Sequence, residues 1–239
     1  CAAPARRRPR RRPDSGQVGS ALGLLLWGLV KKVVIADSLA MLVNQIYTKP
    51  EQMSGLSLVF GTLCFAGQIY GDFSGYSDMA RGAARLLGFE LPLNFRQPYL
   101  SSSLTAFWRT WHISLSSWLR DYLYVPLGGN RRGRRRTMVN LMAVMVLGGL
   151  WHGAGWTFLV WGAIHGTVLA VERLSRRAVD NSEVRVTIRQ IPRVLVTFAV
   201  VCLAWVFFRA PNLDAATTIT WRMLTWASGD TVWTAAASL

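Results

Sequence analysis

Gly148-Gly149-Leu150-Trp151-His152-Gly153-Ala154-Gly155-Trp156 decides how this chain reads, because it sets a histidine between two apolar stretches, residues 137–151 and 156–171. An ionisable side chain at membrane depth is costly when charged, so its presence there points to function. His152 is therefore the leading catalytic candidate. Each apolar arm has about 15 residues, roughly 22 Å of helix against a hydrocarbon core of about 30 Å, and neither spans comfortably alone. Arginine clusters stand at the outer ends of both arms, at residues 131–136 and 173–177. The simplest arrangement is a hairpin with both ends cytoplasmic and the Gly153-Ala154-Gly155 turn dipping into the protein. Non-helical backbone at that depth is tolerated only inside protein or beside water, which places His152 near the tip, in a polar cavity or tunnel.

The rest of the chain agrees with a polytopic membrane protein. Hydrophobic residues make up 51% of the 239 positions, 11 residues are Trp, and mean hydropathy is positive. The net charge of +15, from 27 Lys and Arg against 12 Asp and Glu, is gathered in residues 6–12, 131–136 and 173–177. Such clusters beside apolar segments read as cytoplasmic anchors. No recognition module follows the basic arm and the next residues enter the bilayer, so no nucleic-acid partner is expected. Cys1, Cys64 and Cys202 are far apart, and no His-Glu-x-x-His or other ligand spacing occurs. Neither a disulfide nor a metal site is expected. Starting at Cys1 without a signal-peptide pattern, the chain reads as an internal fragment.

Three parts are expected: a basic disordered cytoplasmic segment over residues 1–17, a membrane core over 18–210, and an interfacial C-terminal segment over 211–239. Residues 18–30 and 33–47 are apolar around Lys31-Lys32, as one long kinked helix or a span followed by an interfacial helix. Residues 56–70 form the next apolar segment. The Gly71-Asp72-Phe73-Ser74-Gly75-Tyr76-Ser77-Asp78 run at its end reads as a loop or broken helix, its carboxylates capping helices or pairing with Arg81 and Arg85. Residues 88–99 form a Pro-punctuated connection. Residues 104–124 are too polar to face lipid and read as interfacial or protein-buried helix, with Arg120-Asp121 as an internal ion pair. Residues 131–136 mark a cytoplasmic turn, 194–208 a further span, and 213–227 a segment on the membrane surface. His165, between Gly162 and Gly166, reads as helix packing. The fold class is all-α, a polytopic helical bundle with re-entrant and interfacial helices around a buried site.

Several runs carry a family resemblance. Phe107-Trp108-Arg109-Thr110-Trp111-His112-Ile113-Ser114-Leu115-Ser116-Ser117-Trp118-Leu119-Arg120-Asp121-Tyr122-Leu123-Tyr124-Val125-Pro126-Leu127-Gly128-Gly129-Asn130, followed by Trp151-His152-Gly153, closely resembles the membrane-bound O-acyltransferase (MBOAT) family. The nearest likeness is to its bacterial alginate O-acetylation branch, related to the teichoic acid D-alanyl transfer protein. Lys31-Lys32-Val33-Val34-Ile35-Ala36-Asp37, the residue 72–78 cluster and Trp205-Val206-Phe207-Phe208-Arg209-Ala210 match the same branch, so the similarity runs from about residue 22 to about 210. The chain departs from it at Gly71, where an aromatic residue is usual, and it lacks the N-terminal spans of family members. The resemblance implies that His152 is catalytic and that His112 lines or supports the same site.

The chemistry also follows from the residues. A neutral imidazole can take the proton of an acceptor hydroxyl as its oxygen attacks an acyl thioester, and such help is worth about 10²- to 10⁴-fold. Burial favours that neutral form. No Gly-x-Ser-x-Gly elbow is present, which favours direct transfer without an acyl-enzyme. His112 is expected to orient the donor or hold the thioester oxyanion, Trp111 and Trp151 to form an apolar wall, and Asn130, Tyr122 and Asp121 to complete the substrate-binding set.

The expected protein is thus a bacterial inner-membrane, multi-pass acyltransferase. It binds no cofactor tightly and takes a small acyl group, acetyl above all, from a cytoplasmic thioester such as acetyl-CoA or an acyl carrier. Besides the lipid bilayer and that donor, its partner is an extracytoplasmic polysaccharide or an accessory O-acetyltransferase. The alternative is an inactive scaffold or a transporter-like conduit in a polysaccharide modification or export complex. Inverted repeats would favour the conduit, and the sequence shows none.

Overall fold

A computed structural model describes residues 6–7, 14–175 and 187–231. Asp14 accepts the Gln17 amide at 2.7 Å and so caps α1 (Ser15–Leu29), which starts three residues earlier than the apolar pattern suggests. The helix passes through a π-helical segment (Val30–Ala36) into α2 (Asp37–Thr48). The Lys31-Lys32 interruption is therefore absorbed as a widened turn within one 34-residue helical stretch. Of the expected 1–17 segment, residues 15–17 are helical and Arg6–Arg7 (β1) pairs antiparallel with Phe89–Glu90 (β2). Cys1, residues 8–12 and residues 232–239 lie outside the described residues.

The expected loop at residues 71–78 is instead the middle of α3 (Gly55–Leu86), a continuous helix of 32 residues. Two physical causes keep it helical. Its carboxylates are neutralised by α1 and its extension: Lys31 Nζ lies 2.6 Å from Asp78, Lys32 Nζ lies 2.8 Å from Asp72 and 2.7 Å from Asp37, and Arg81 reaches Asp78 at 3.2 Å. Its glycines let two backbones touch, since a Cβ on Gly75 would stand 2.7 Å from the Gly28 carbonyl oxygen, and one on Gly82 2.7 Å from that of Ala21. Small residues recurring along one face are how helices approach closely in a membrane.

The residue 104–124 region is likewise broken, into α4 (Leu104–Thr110), α5 (Ile113–Leu119) and a π-helical turn (Arg120–Tyr124). The expected turn at residues 131–136 mostly belongs to α6 (Gly133–His152). It forms the hairpin with α7 (Trp156–Leu174), packed so closely that Gly149 faces the Phe158 carbonyl and Gly162 faces that of Met145. Arg134 Nη2 donates to the Leu174 carbonyl at 2.7 Å and ties the open end together. The remaining helices are α8 (Ile191–Arg209) and α9 (Leu213–Leu224), the latter packed on α3 and α8. Among the described residues, three helical stretches are long and apolar enough to cross a membrane: Ser15–Thr48, Gly55–Leu86 and Ile188–Arg209. The two hairpin arms are not among them.

The helices are ordered end for end. Arg209 reaches Asn44 at 2.6 Å, and His152 packs on Phe208, so the ends of α2, α6 and α8 and the start of α3 share one side. Gln17 bonds to the Arg85 carbonyl at 2.8 Å on the other side, where Arg134 and Arg173 also lie. Between them sits a core rich in aromatic rings, including Phe65, Tyr99, Phe107, Trp111, Trp161 and Trp205.

Candidate active site

His112 is set by the break between α4 and α5. Ser103 caps α4 at the Ala106 amide, and Glu172 of α7 accepts the Leu104 and Thr105 amides at 2.6 and 3.0 Å, with its negative charge at a helix start. That contact fixes α4 against α7. Two residues past the end of α4 the chain reverses: His112 has φ 44°, a left-handed conformation a histidine adopts only when its surroundings impose it. Asn94 imposes it here. Its carbonyl accepts the Ile113 amide at 2.9 Å and its Oδ1 accepts the Ser114 amide at 3.1 Å.

The same Oδ1 lies 3.3 Å from His112 Nδ1. Because an atom that accepts a backbone N–H is the amide oxygen, the tautomer protonated at Nδ1, with the lone pair at Nε2, is the one that pairs with Asn94; Ser114 Oγ lies 3.3 Å from the same nitrogen. The ring stands edge-on to Phe73 at 4.6 Å. Burial, and then the charge that His152 would carry, push its pKa down to about 4, so His112 stays neutral across the physiological range. A neutral ring in this tautomer accepts at Nε2. In this tautomer Nε2 has no proton to offer an oxyanion.

His152 ends α6 at the turn, as the sequence indicates, but aromatic rings rather than polar groups surround it. Its ring contacts Trp151 at 4.9 Å, Phe208 at 5.0 Å, Trp161 at 5.4 Å and Phe158 at 6.4 Å between centroids. Trp161 continues to Trp205 at 6.2 Å, Trp205 to Trp111 at 5.2 Å, and Trp111 is joined through the backbone to His112. One run of packed rings thus leads from His152 to Trp111, the neighbour of His112, and continues through Phe95 and Phe73 to the His112 ring.

The remaining expected residues separate. Trp111 is buried inside this run of rings, stacked on Phe107 at 5.5 Å, so it is a core ring rather than an open wall. Trp151 is 64% exposed beside His152 and can present a face to a ligand. Tyr122 is 61% exposed and stacked on Trp118, and Asp121 is paired with Arg120 at 2.8 Å; neither is brought to the histidines by a contact. Asn130 lies on a loop that buried Asn140 holds through the Leu127 and Gly129 carbonyls, at 3.2 and 3.0 Å. It lines a cavity of about 490 Å³ with Arg109, Arg120, Arg173, Ser116 and Trp108 on its polar side and Leu141, Val144, Met145 and Leu169 on its apolar side.

Trp108 connects that cavity to a third histidine. Its indole N–H donates to His165 Nδ1 at 3.3 Å, and His165 is fully buried on α7 beside Trp161 at 4.8 Å. His165 Nε2 and Trp161 Nε1 have no acceptor among the described residues. A buried donor left unpaired costs about 1–3 kcal/mol, so two in contact are unusual. The helix-packing reading of His165 therefore omits half of its chemistry. Asn94, Glu172 and Trp161 were likewise missed, since each acts through a partner far away in sequence.

A model of the membrane-bound O-acyltransferase family covers residues 4–212, and the chain belongs to that family. Among curated relatives, the chain is 52% identical over 196 residues to the "Probable alginate O-acetylase AlgI" of Azotobacter vinelandii, covering 82% of this chain and 37% of that protein. It is 45% identical over 198 residues to a "Peptidoglycan O-acetyltransferase" of Helicobacter pylori, covering 82% and 37%. A "Teichoic acid D-alanyltransferase" of Streptococcus thermophilus is 27% identical over 158 residues, covering 59% and 38%. The chain thus spans little more than a third of the length of these relatives.

Proposed function

We propose that the protein to which this chain belongs is an O-acyltransferase that moves an acetyl or similar small acyl group from a cytoplasmic thioester to a hydroxyl of an extracytoplasmic polysaccharide, directly or through a partner transferase. His152 is the general base. Its ring takes the proton of the attacking hydroxyl, and the surrounding aromatic rings keep water away. His112 Nε2, neutral and with its lone pair free, accepts a hydrogen bond from a neighbouring hydroxyl of the acceptor and so positions it, while the exposed face of Trp151 offers a stacking surface.

The single observation that supports this reading is the continuous run of packed rings that links His152 to His112, drawn from chain segments that the fold has to bring together. The arginine-lined cavity supports the donor side. Arg109, Arg120 and Arg173 suit the phosphates of coenzyme A or of a phosphopantetheine arm, and the apolar wall suits the acyl end. That cavity lies toward the basic end of the bundle, and positively charged ends face the cytoplasm, which supports an inner-membrane orientation. The acceptor is proposed from the relatives, whose names specify alginate and peptidoglycan.

A strain lacking the gene tests this directly. Its surface polysaccharide should lose alkali-labile acetate, the wild-type gene should restore it, and Arg173→Ala should restore it only with a several-fold higher donor requirement in isolated membranes. Unchanged polymer acetate in the deletion strain would remove the acyltransferase reading.

A further inference from the structure

An acyl transfer of this kind develops negative charge on the carbonyl oxygen, and donors aimed at that oxygen are the largest single aid a site can give. Neither histidine assigned so far supplies one. His112 presents a lone pair at Nε2, because Asn94 takes its Nδ1 proton. His152 must begin the reaction without a proton on the nitrogen that accepts the hydroxyl's.

The unpaired donors lie one ring away. Trp108 can only donate, so His165 Nδ1 is an acceptor and, in the neutral ring, Nε2 carries the proton. Trp161 Nε1 is a donor by nature. His165 is 0% and Trp161 2% exposed, the two rings are 4.8 Å apart on successive turns of α7, and neither N–H has an acceptor among the described residues. An aromatic face is only a weak substitute acceptor. Trp161 also contacts His152 at 5.4 Å, and Trp108, which fixes the His165 tautomer, lines the arginine cavity. Trp161 thus touches the proposed base on one side and His165 on the other, and His165 in turn is bonded to a ring that borders the cavity.

We propose that Trp161 Nε1–H and His165 Nε2–H form a paired donor site for the carbonyl oxygen of the incoming acyl thioester, with Trp108 as the positioning residue. This rests on the acyltransferase reading. As the acceptor oxygen bonds to the carbonyl carbon, its proton passes to His152 and the carbonyl π pair moves onto the oxygen held by the two N–H groups. Collapse re-forms the C=O bond and breaks the C–S bond, and the departing thiolate receives the proton from His152. The products are an ester and a thiol, with no change of oxidation state. Donors held by packed rings in a low-dielectric site are where such stabilisation is worth most.

The test uses the full-length parent protein in membranes, with radiolabelled acetyl-CoA as donor and label in alkali-labile ester on polymer as readout. Trp161→Phe and His165→Phe should each lower kcat about 10- to 100-fold with little change in KM for the thioester. His165→Gln, whose amide nitrogen reaches the place of Nε2, should keep kcat within about tenfold of wild type. Should His165→Phe fail to accumulate, Trp161→Phe, which keeps a ring in place, carries the test. The inference is overturned if kcat stays within about twofold of wild type in the Phe variants, if only KM moves, or if His165→Gln is as impaired as His165→Phe. Wild-type membranes that form no ester, or a His152→Ala variant as active as wild type, would instead remove the acyltransferase reading and this inference with it.

Discussion

Asn94 Oδ1 lies 3.3 Å from His112 Nδ1 and also accepts the Ser114 amide at 3.1 Å, so one side chain both holds the left-handed turn at His112 and fixes which ring nitrogen carries the proton. Asn94→Ala removes the ring contact and the Ser114 bond and leaves only the backbone bond from the Ile113 amide to hold the turn. It should cost about 1–3 kcal/mol of stability, from the Ser114 amide left without its partner, and lower kcat more than it changes KM. Thermal unfolding in detergent and steady-state transfer kinetics measure the two effects. Asn94→Ala kinetics equal to wild type would separate His112 orientation from activity.

The His112 pKa gives a stability prediction with a definite sign. Its value in the fold is about 4 against an ordinary 6.5, so below pH 6.5 the unfolded chain takes up a proton that the folded chain refuses. The contribution is undiminished above pH 6.5 and is lost as pH falls toward 4, by about 1–2 kcal/mol at pH 5. Melting at pH 7 and pH 5 should show a smaller acid-induced drop in His112→Asn than in wild type. Equal drops would contradict a neutral, desolvated His112.

The ion pairs beneath the α1–α3 contact differ in what each loss leaves behind. Asp78→Asn strands the half-buried Lys31 with no other carboxylate in contact, at about 3 kcal/mol, whereas Asp72→Asn leaves Lys32 still paired with Asp37 and should cost below about 1 kcal/mol. Detergent-resistant folded protein after heating reads the order. A larger loss from Asp72→Asn would contradict the pairing.

Single-cysteine accessibility tests the orientation of the hairpin. Cysteines replacing Arg134 and Arg173 should react only from the cytoplasmic side, and one replacing Ala154 at the turn should not. External labelling at positions 134 and 173 would invert the bundle and separate the arginine cavity from any cytoplasmic donor.

How much the sequence discloses varies with how local the cause is. The His152 hairpin was legible because its signals, apolar arms, glycines in the turn and flanking arginines, are contiguous. The all-α bundle was legible for the same reason. The break at His112 was not, since the residue that forces it, Asn94, is 18 positions away and carries no motif of its own. Residues 71–78 read as a loop because two carboxylates and two glycines look like a break in isolation. Only the lysines and the Gly28 backbone of a different helix turn the same residues into a charge-paired, close-packed helix face. Trp111, expected to form a wall of the site, is buried with Phe107 stacked on it and Phe95 edge-on to it, and Phe95 lies 16 positions away in the chain. His165 shows the limit most clearly: glycines nearby announce packing, while the partner that sets its tautomer, Trp108, comes from another helix.

The central claim is that His152 is the general base, and the measurement closest to it is transfer of radiolabelled acetyl from acetyl-CoA to polysaccharide in membranes carrying the full-length parent, wild type against His152→Ala. Loss of at least about 10²-fold in kcat at equal protein level is the predicted result. Equal ester formation by the two proteins would contradict the account and move the chemistry to another residue or another protein.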